Sequence, residues 1–118
     1  MIMRRTPRHW AEIVAHDYLQ RHGLELVQQN FATRLGEIDL IMRDGETLVF
    51  IEVRQRYTAS HGLPEETVHH KKQKKIRLAA NQFLQQDHRG YDQVCRFDVF
   101  AIEGRGAQAQ TRWIKSAF

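Results

Sequence analysis

The 118 residues predict an α/β or α+β protein in which helices flank a mixed sheet, with elements in the order α-β-β-β-α-β and a short last strand. Three observations carry this. Apolar side chains recur at helical spacing near the N-terminus. A strand-like run over 36–43 and a run rich in β-branched and aromatic residues over 46–54 flank Asp44-Gly45, a strong two-residue hairpin signal. A second helical stretch then separates this meander from another apolar strand.

In order along the chain, Thr6-Pro7 reads as an N-cap with proline at the first helical position. Trp10, Ala11, Val14, Ala15, Tyr18 and Leu19 continue the stripe and Gly23 is the stop, so a helix is expected over about 7–22. Residues 25–31 carry the weakest strand signal; 36–43 and 46–54 carry stronger ones. Residues 55–66 hold Gly62, Pro64 and few large apolar groups, the composition of a long loop. Thr67 would cap a second helix running to Gln86, with Val68, Ile76, Ala79, Ala80, Phe83 and Leu84 facing the core. Val94 to Ile102 reads as a strand, Gly104-Arg105-Gly106 as a turn, and Thr111 to Lys115 as a final strand.

The length suits one domain, 1–118, and a chain of this size buries about two-thirds of its surface without needing disulfides or a structural metal. The longest strongly apolar run, Leu48-Val49-Phe50-Ile51, is far short of the roughly 20 residues that span a membrane, so no membrane partner is expected. Met1-Ile2-Met3-Arg4-Arg5 leads into no apolar stretch, so no signal peptide is expected. The single cysteine, Cys95, reads as a small core residue and fits a reducing, cytoplasmic setting.

The charge is unevenly placed. The net charge is +4, yet Lys71, Lys72, Lys74, Lys75 and Arg77 supply five positive charges in seven residues with no acid among them. A nearly neutral body with one dense basic cluster points to an anionic partner, nucleic acid first, though a solvated helix face would look the same. Arg4, Arg5 and Arg8 could add a second basic patch. His69 and His70 are adjacent, and neighbours on a helix point about 100° apart, which disfavours a joint metal role.

The hairpin gathers acids. With Asp44-Gly45 as its loop, Asp39 faces Phe50 and Glu37 faces Glu52, with Asp39 diagonal to Glu52. Side chains alternate with period two, so Glu37, Asp39 and Ile41 share a face with Leu48, Phe50, Glu52 and Arg54. Any even loop keeps this arrangement and an odd one breaks it. Like charges opposite one another on a sheet are destabilising, and acids at the margin of an apolar face call for compensation. Arg54 could supply it. So could a divalent cation held by Asp39, Glu52 and Glu37, for which Mg²⁺ or Mn²⁺ suits hard oxygen ligands. Such an ion serves phosphodiester hydrolysis, with Arg54 as a fixed positive charge on the phosphate. Ordinary surface acids on a wet hairpin are the plain alternative.

The segments Gly36-Glu37-Ile38-Asp39-Leu40-Ile41, Leu48 to Arg56 (Leu-Val-Phe-Ile-Glu-Val-Arg-Gln-Arg) and Arg96-Phe97-Asp98-Val99 resemble the YraN-like family. This bacterial family lies within the PD-(D/E)XK nuclease superfamily and is similar to archaeal Holliday junction resolvases. The resemblance runs from Trp10-Ala11-Glu12 to Phe118. It implies a restriction-endonuclease-like core, with Asp39 and Glu52 as the motif acids, Arg54 in place of the usual lysine, and Glu12 as the helical acid of resolvase-like members. Lys72-Gln73 falls where the superfamily often places a polar or basic residue. The resemblance also implies a homodimer, although no self-complementary patch is visible in the sequence.

The reading that results is a Mg²⁺- or Mn²⁺-dependent nuclease acting on DNA, branched or structured, with Asp39, Glu52, Arg54 and Glu12 in the site. Arg56, Lys71, Lys72, Gln73 and Lys75 would contact the nucleic acid, with Gln55 and Tyr57 beside them. The competing reading is a non-catalytic nucleic-acid-binding module on a nuclease-derived fold; a third is a protein adaptor whose basic helix meets an acidic partner. Arg96 and Asp98 are expected to form a structural ion pair, and Trp113 and Phe118 to serve packing rather than base stacking.

Overall fold

The apolar, β-branched run from residue 37 to residue 56 becomes the centre of a five-stranded sheet. The computed structural model describes residues 10–56, 69–104 and 106–118. The expected cap Thr6-Pro7, the arginines Arg4, Arg5 and Arg8, the loop residue Tyr57 and the expected cap Thr67 with Val68 lie outside them. The elements are α1 (Trp10–Arg21), β1 (Glu25–Ala32), β2 (Glu37–Asp44), β3 (Thr47–Arg56), α2 (His70–Gln86), β4 (Cys95–Glu103) and β5 (Gln110–Ile114). Strand order in the sheet is sequential, β1 to β5. Every neighbouring pair is antiparallel except β3 and β4, which run parallel. A parallel pair needs a crossover, and α2 supplies it. This is the α/β arrangement of a mixed sheet between two helices, consistent with a restriction-endonuclease-like core.

Each sheet face carries one helix. On the first, Ala11, Ala15 and Leu19 of α1 meet Leu40, Met42, Val49, Ile51, Phe100 and Ile102. On the second, Ile76, Ala79, Ala80 and Phe83 of α2 meet Phe31, Ile38, Ile41, Leu48 and Phe50. Strand segments covered on both faces read as continuous apolar runs, as Leu48 to Ile51 of β3 does. Phe50 and Phe100 are fully buried, each contributing about 1.5–3 kcal/mol through lost water contact. Among the described residues, no helix is long and apolar enough to cross a membrane.

The hairpin differs from expectation by one step. The closing pair is Asp44↔Thr47, so the two-residue loop is Gly45-Glu46 rather than Asp44-Gly45. Gly45 takes the left-handed φ of +63° that this turn demands, and glycine does so at least cost. Asp44 is held in the strand by Arg96 of β4, whose Nη2 lies 2.9 Å from Asp44 Oδ2. The loop remains even, so Ile41, Leu48 and Phe50 do share one face. The register moves, however: Ile41 pairs with Phe50 and Leu40 with Ile51, so neither expected pair, Asp39 with Phe50 or Glu37 with Glu52, is formed.

The expected ion pair is present and more elaborate. Asp98, fully buried, accepts from Arg96 Nε at 3.0 and 3.1 Å, from Trp113 Nε1 at 2.9 Å and from the Ser116 backbone N–H at 3.0 Å. Trp113 and Phe118 do pack: Trp113 meets the edge of Tyr18, and Phe118 stacks on Phe97 under Arg77. Cys95 is half-buried against the α2-side core, and burial raises its thiol pKa.

Candidate active site

The site forms where β2 loses its regular alternation. Ile38 belongs to the α2 side, Leu40 to the α1 side and Ile41 to the α2 side again. The break falls on Asp39. On β1 the matching level is Asn30, between the pairs Gln29↔Leu40 and Phe31↔Ile38. Asn30 has φ +49°, a left-handed conformation that asparagine tolerates better than most side chains. The β1–β2 ribbon therefore turns over at one level, and that turn brings Asp39 out of the plain strand pattern.

The β2–β3 pairing stops at Leu40↔Ile51. Beyond it, the Val53 backbone N–H donates to Asp39 Oδ2 at 2.8 Å, so a carboxylate takes over from the ladder. Glu52, immediately before, is almost fully buried. Its Oε2 meets Lys72 Nζ of α2 at 3.0 Å and Arg54 Nη1 at 3.4 Å. Glu12 of α1 is also buried, and its Oε1 accepts from Asn30 Nδ2 at 3.0 Å.

These acids act on one another. Asp39 is pushed up to about 7, first by burial, then by the Glu52 carboxylate and, more weakly, by Glu12; the Val53 N–H and the Lys72 ammonium oppose this. Three carboxylates from α1, β2 and β3 thus share one electrostatic neighbourhood, with a lysine from α2 at its edge. Asn30 Oδ1 is buried there without a hydrogen-bond partner.

Of the expected residues, Asp39, Glu52, Arg54 and Glu12 are brought together. Glu37 is not part of that group: it lines a pocket beside α2 with Gly36, His69, Lys71, Lys72, Lys75 and Ile76. Among the described residues, no three His, Cys, Asp or Glu side chains gather as a metal-holding group, so the expected trio of Asp39, Glu52 and Glu37 is not assembled. Asp39 and Glu52 supply two neighbouring carboxylates. Mg²⁺ commonly takes one or two carboxylates and completes its shell with water and substrate phosphate. The buried Asn30 Oδ1 without a partner and the repulsion around Asp39 are compatible with a donor set of that kind. Arg56 ends β3 opposite Glu103, and Gln73 lies in the first turns of α2. Asn30 was not anticipated; an asparagine late in a β-run, where β-propensity is poor, was the available signal.

Known proteins are similar to this chain in sequence. A family model described as "Uncharacterised protein family UPF0102" matches residues 11–102, which include every one of the converging acids. A UPF0102 protein of Pseudomonas savastanoi pv. phaseolicola is 50% identical over 109 residues, covering 92% of this chain and 89% of the relative. One from Chromohalobacter salexigens is 51% identical over 104 residues, covering 88% of this chain and 83% of the relative. One from Ectopseudomonas mendocina is 47% identical over 108 residues, covering 92% and 90%.

Proposed function

This chain belongs to the bacterial family UPF0102, and we propose that it is a divalent-metal-dependent nuclease that hydrolyses phosphodiester bonds in DNA, branched or structured. The observation that carries the reading is the convergence of Asp39, Glu52 and Glu12, with Asp39 held near pKa 7 by burial and by its acidic neighbours. Strongly perturbed carboxylates cluster at functional sites. Asp39 and Glu52 would hold Mg²⁺ or Mn²⁺, which supplies positive charge to the phosphate and acidity to water. Asp39 is positioned by the Val53 N–H and Glu12 by Asn30. Arg54 sits beside Glu52, where its guanidinium can stabilise charge developing on the phosphate. Lys71, Lys72 and Lys75 would neutralise backbone phosphates, and Arg56 and Gln73 extend the same contact.

The test is cleavage of a panel of duplex, flapped and branched DNA with Mg²⁺ or Mn²⁺. Asp39→Asn and Glu52→Gln are expected to abolish cleavage while retaining DNA binding. Equal cleavage by wild type and variants would assign it to a contaminant. The Lys72–Glu52 ion pair favours a second reading, a DNA-binding module whose acids are neutralised from within. It predicts salt-sensitive binding with no metal dependence and no cleavage of any substrate.

A further inference from the structure

Beside the acids lies a concave pocket of about 370 Å³, walled by Gly36 and Glu37 on one side and by His69, Lys71, Lys72, Lys75 and Ile76 of α2 and its N-cap on the other. We propose that it is a subsite for one unpaired nucleotide next to the scissile phosphate, with the 5′-phosphate among Lys71, Lys72 and Lys75 and the base towards Ile76. The proposal rests on the nuclease reading and deepens it.

Four features support it. The pocket is within the size range of small-ligand sites, toward its lower end of roughly 300 Å³. It is joined to the acids, since Lys72 lines the pocket and also reaches Glu52 at 3.0 Å. Its wall is fixed: a Cβ on Gly36 would stand 2.6 Å from the Lys75 carbonyl oxygen, so only glycine lets the strand entrance approach α2 this closely. The same wall is tied by Thr33, whose Oγ1 accepts from the Leu35 and Gly36 N–H groups at 2.9 and 3.1 Å. Finally, the lining mixes charge with apolar surface. Three lysines suit a phosphate, while Ile76 and the Glu37 carboxylate do nothing for a free inorganic anion. A second pocket of about 390 Å³, lined by Phe31, Thr33, Arg34, Gln82, Gln85 and Gln86, is comparable in size but offers one cation, Arg34, against the three lysines of the first.

A base stacked within a duplex cannot enter such a pocket. It must leave the stack, which is cheapest where the strand is already single or mismatched. The site would therefore cut beside unpaired nucleotides in preference to continuous duplex.

Calorimetry with thymidine 5′-monophosphate, in EDTA without divalent metal, tests this apart from any activity. The nucleotide should bind at least about tenfold more tightly than inorganic phosphate or thymidine. Lys75→Gln and Lys71→Gln should each weaken it several-fold, whereas Lys74→Gln, outside the pocket, should not. Equal affinity for nucleotide and phosphate would overturn the proposal, leaving only a basic patch. Equal loss in Lys74→Gln and Lys75→Gln would overturn it too. Cleavage of DNA without nucleotide binding sinks the subsite alone; nucleotide binding without any cleavage sinks the nuclease reading alone.

Discussion

Replacing Asp39 by asparagine should stabilise the metal-free protein at neutral and alkaline pH. The carboxyl group ionises near 3.8 when unfolded and near 7 in the fold. Between those values the folded state holds the extra proton, so stability falls as pH rises. The whole displacement corresponds to at most about 4 kcal/mol, of which the interval from pH 5 to pH 7 carries at most about 3 kcal/mol. Partial solvent access to Asp39 reduces this, and a range of about 1–3 kcal/mol is expected. The substituted side chain presents an amide oxygen that can still accept from the Val53 N–H, so the local geometry should survive. Urea unfolding of both proteins in EDTA at pH 5, 6, 7 and 8 measures the effect. All other groups are common to both proteins and cancel in the difference. The variant's advantage should widen from pH 5 to pH 7 and then level off. A pH-independent difference, or a variant that weakens relative to wild type as pH rises, would refute the reasoning that repulsion and burial act on this carboxyl.

Three other outcomes follow from the same geometry. Gly36→Ala should destabilise by about 1–3 kcal/mol in urea unfolding, because its Cβ meets the Lys75 carbonyl oxygen and either the strand entrance or α2 must move. Asp98→Ala should cost about 3–5 kcal/mol, since it removes one of the two carboxylates that hold Arg96 and leaves Trp113 Nε1 and the Ser116 N–H without their acceptor. Asn30→Gly keeps the left-handed backbone but removes the Asn30 donor to Glu12 Oε1. It should lower cleavage more than stability, whereas Asn30→Ala should lower both, as rates and urea midpoints would show.

The element order was legible in the sequence because it depends on local signals: period-two alternation, a Gly turn and an even loop; Asp39 and Glu52 were singled out by the same rule, but the structure brings them together in another register. The register was not legible. It was set by Asp44 pairing with Arg96, 52 residues away, which drew Asp44 into the strand and moved the turn one step. The role of Glu37 failed with it. The alternation rule also broke at Asp39 itself, where Asn30 turns the ribbon over; no pattern read along one strand reports a twist imposed by its neighbour. Lys72 was visible as part of a basic run, but its reach to Glu52 depends on how α2 docks, which Gly36 controls by close approach rather than by φ.

Titrating Mn²⁺ or Mg²⁺ into the purified protein by calorimetry, alongside Asp39→Asn and Glu52→Gln, asks directly whether two strand carboxylates grip an ion. Saturable binding by wild type, lost or weakened at least about tenfold in each variant, is the result expected. Identical titrations for all three proteins would contradict it and leave a basic DNA-binding fold without a metal centre.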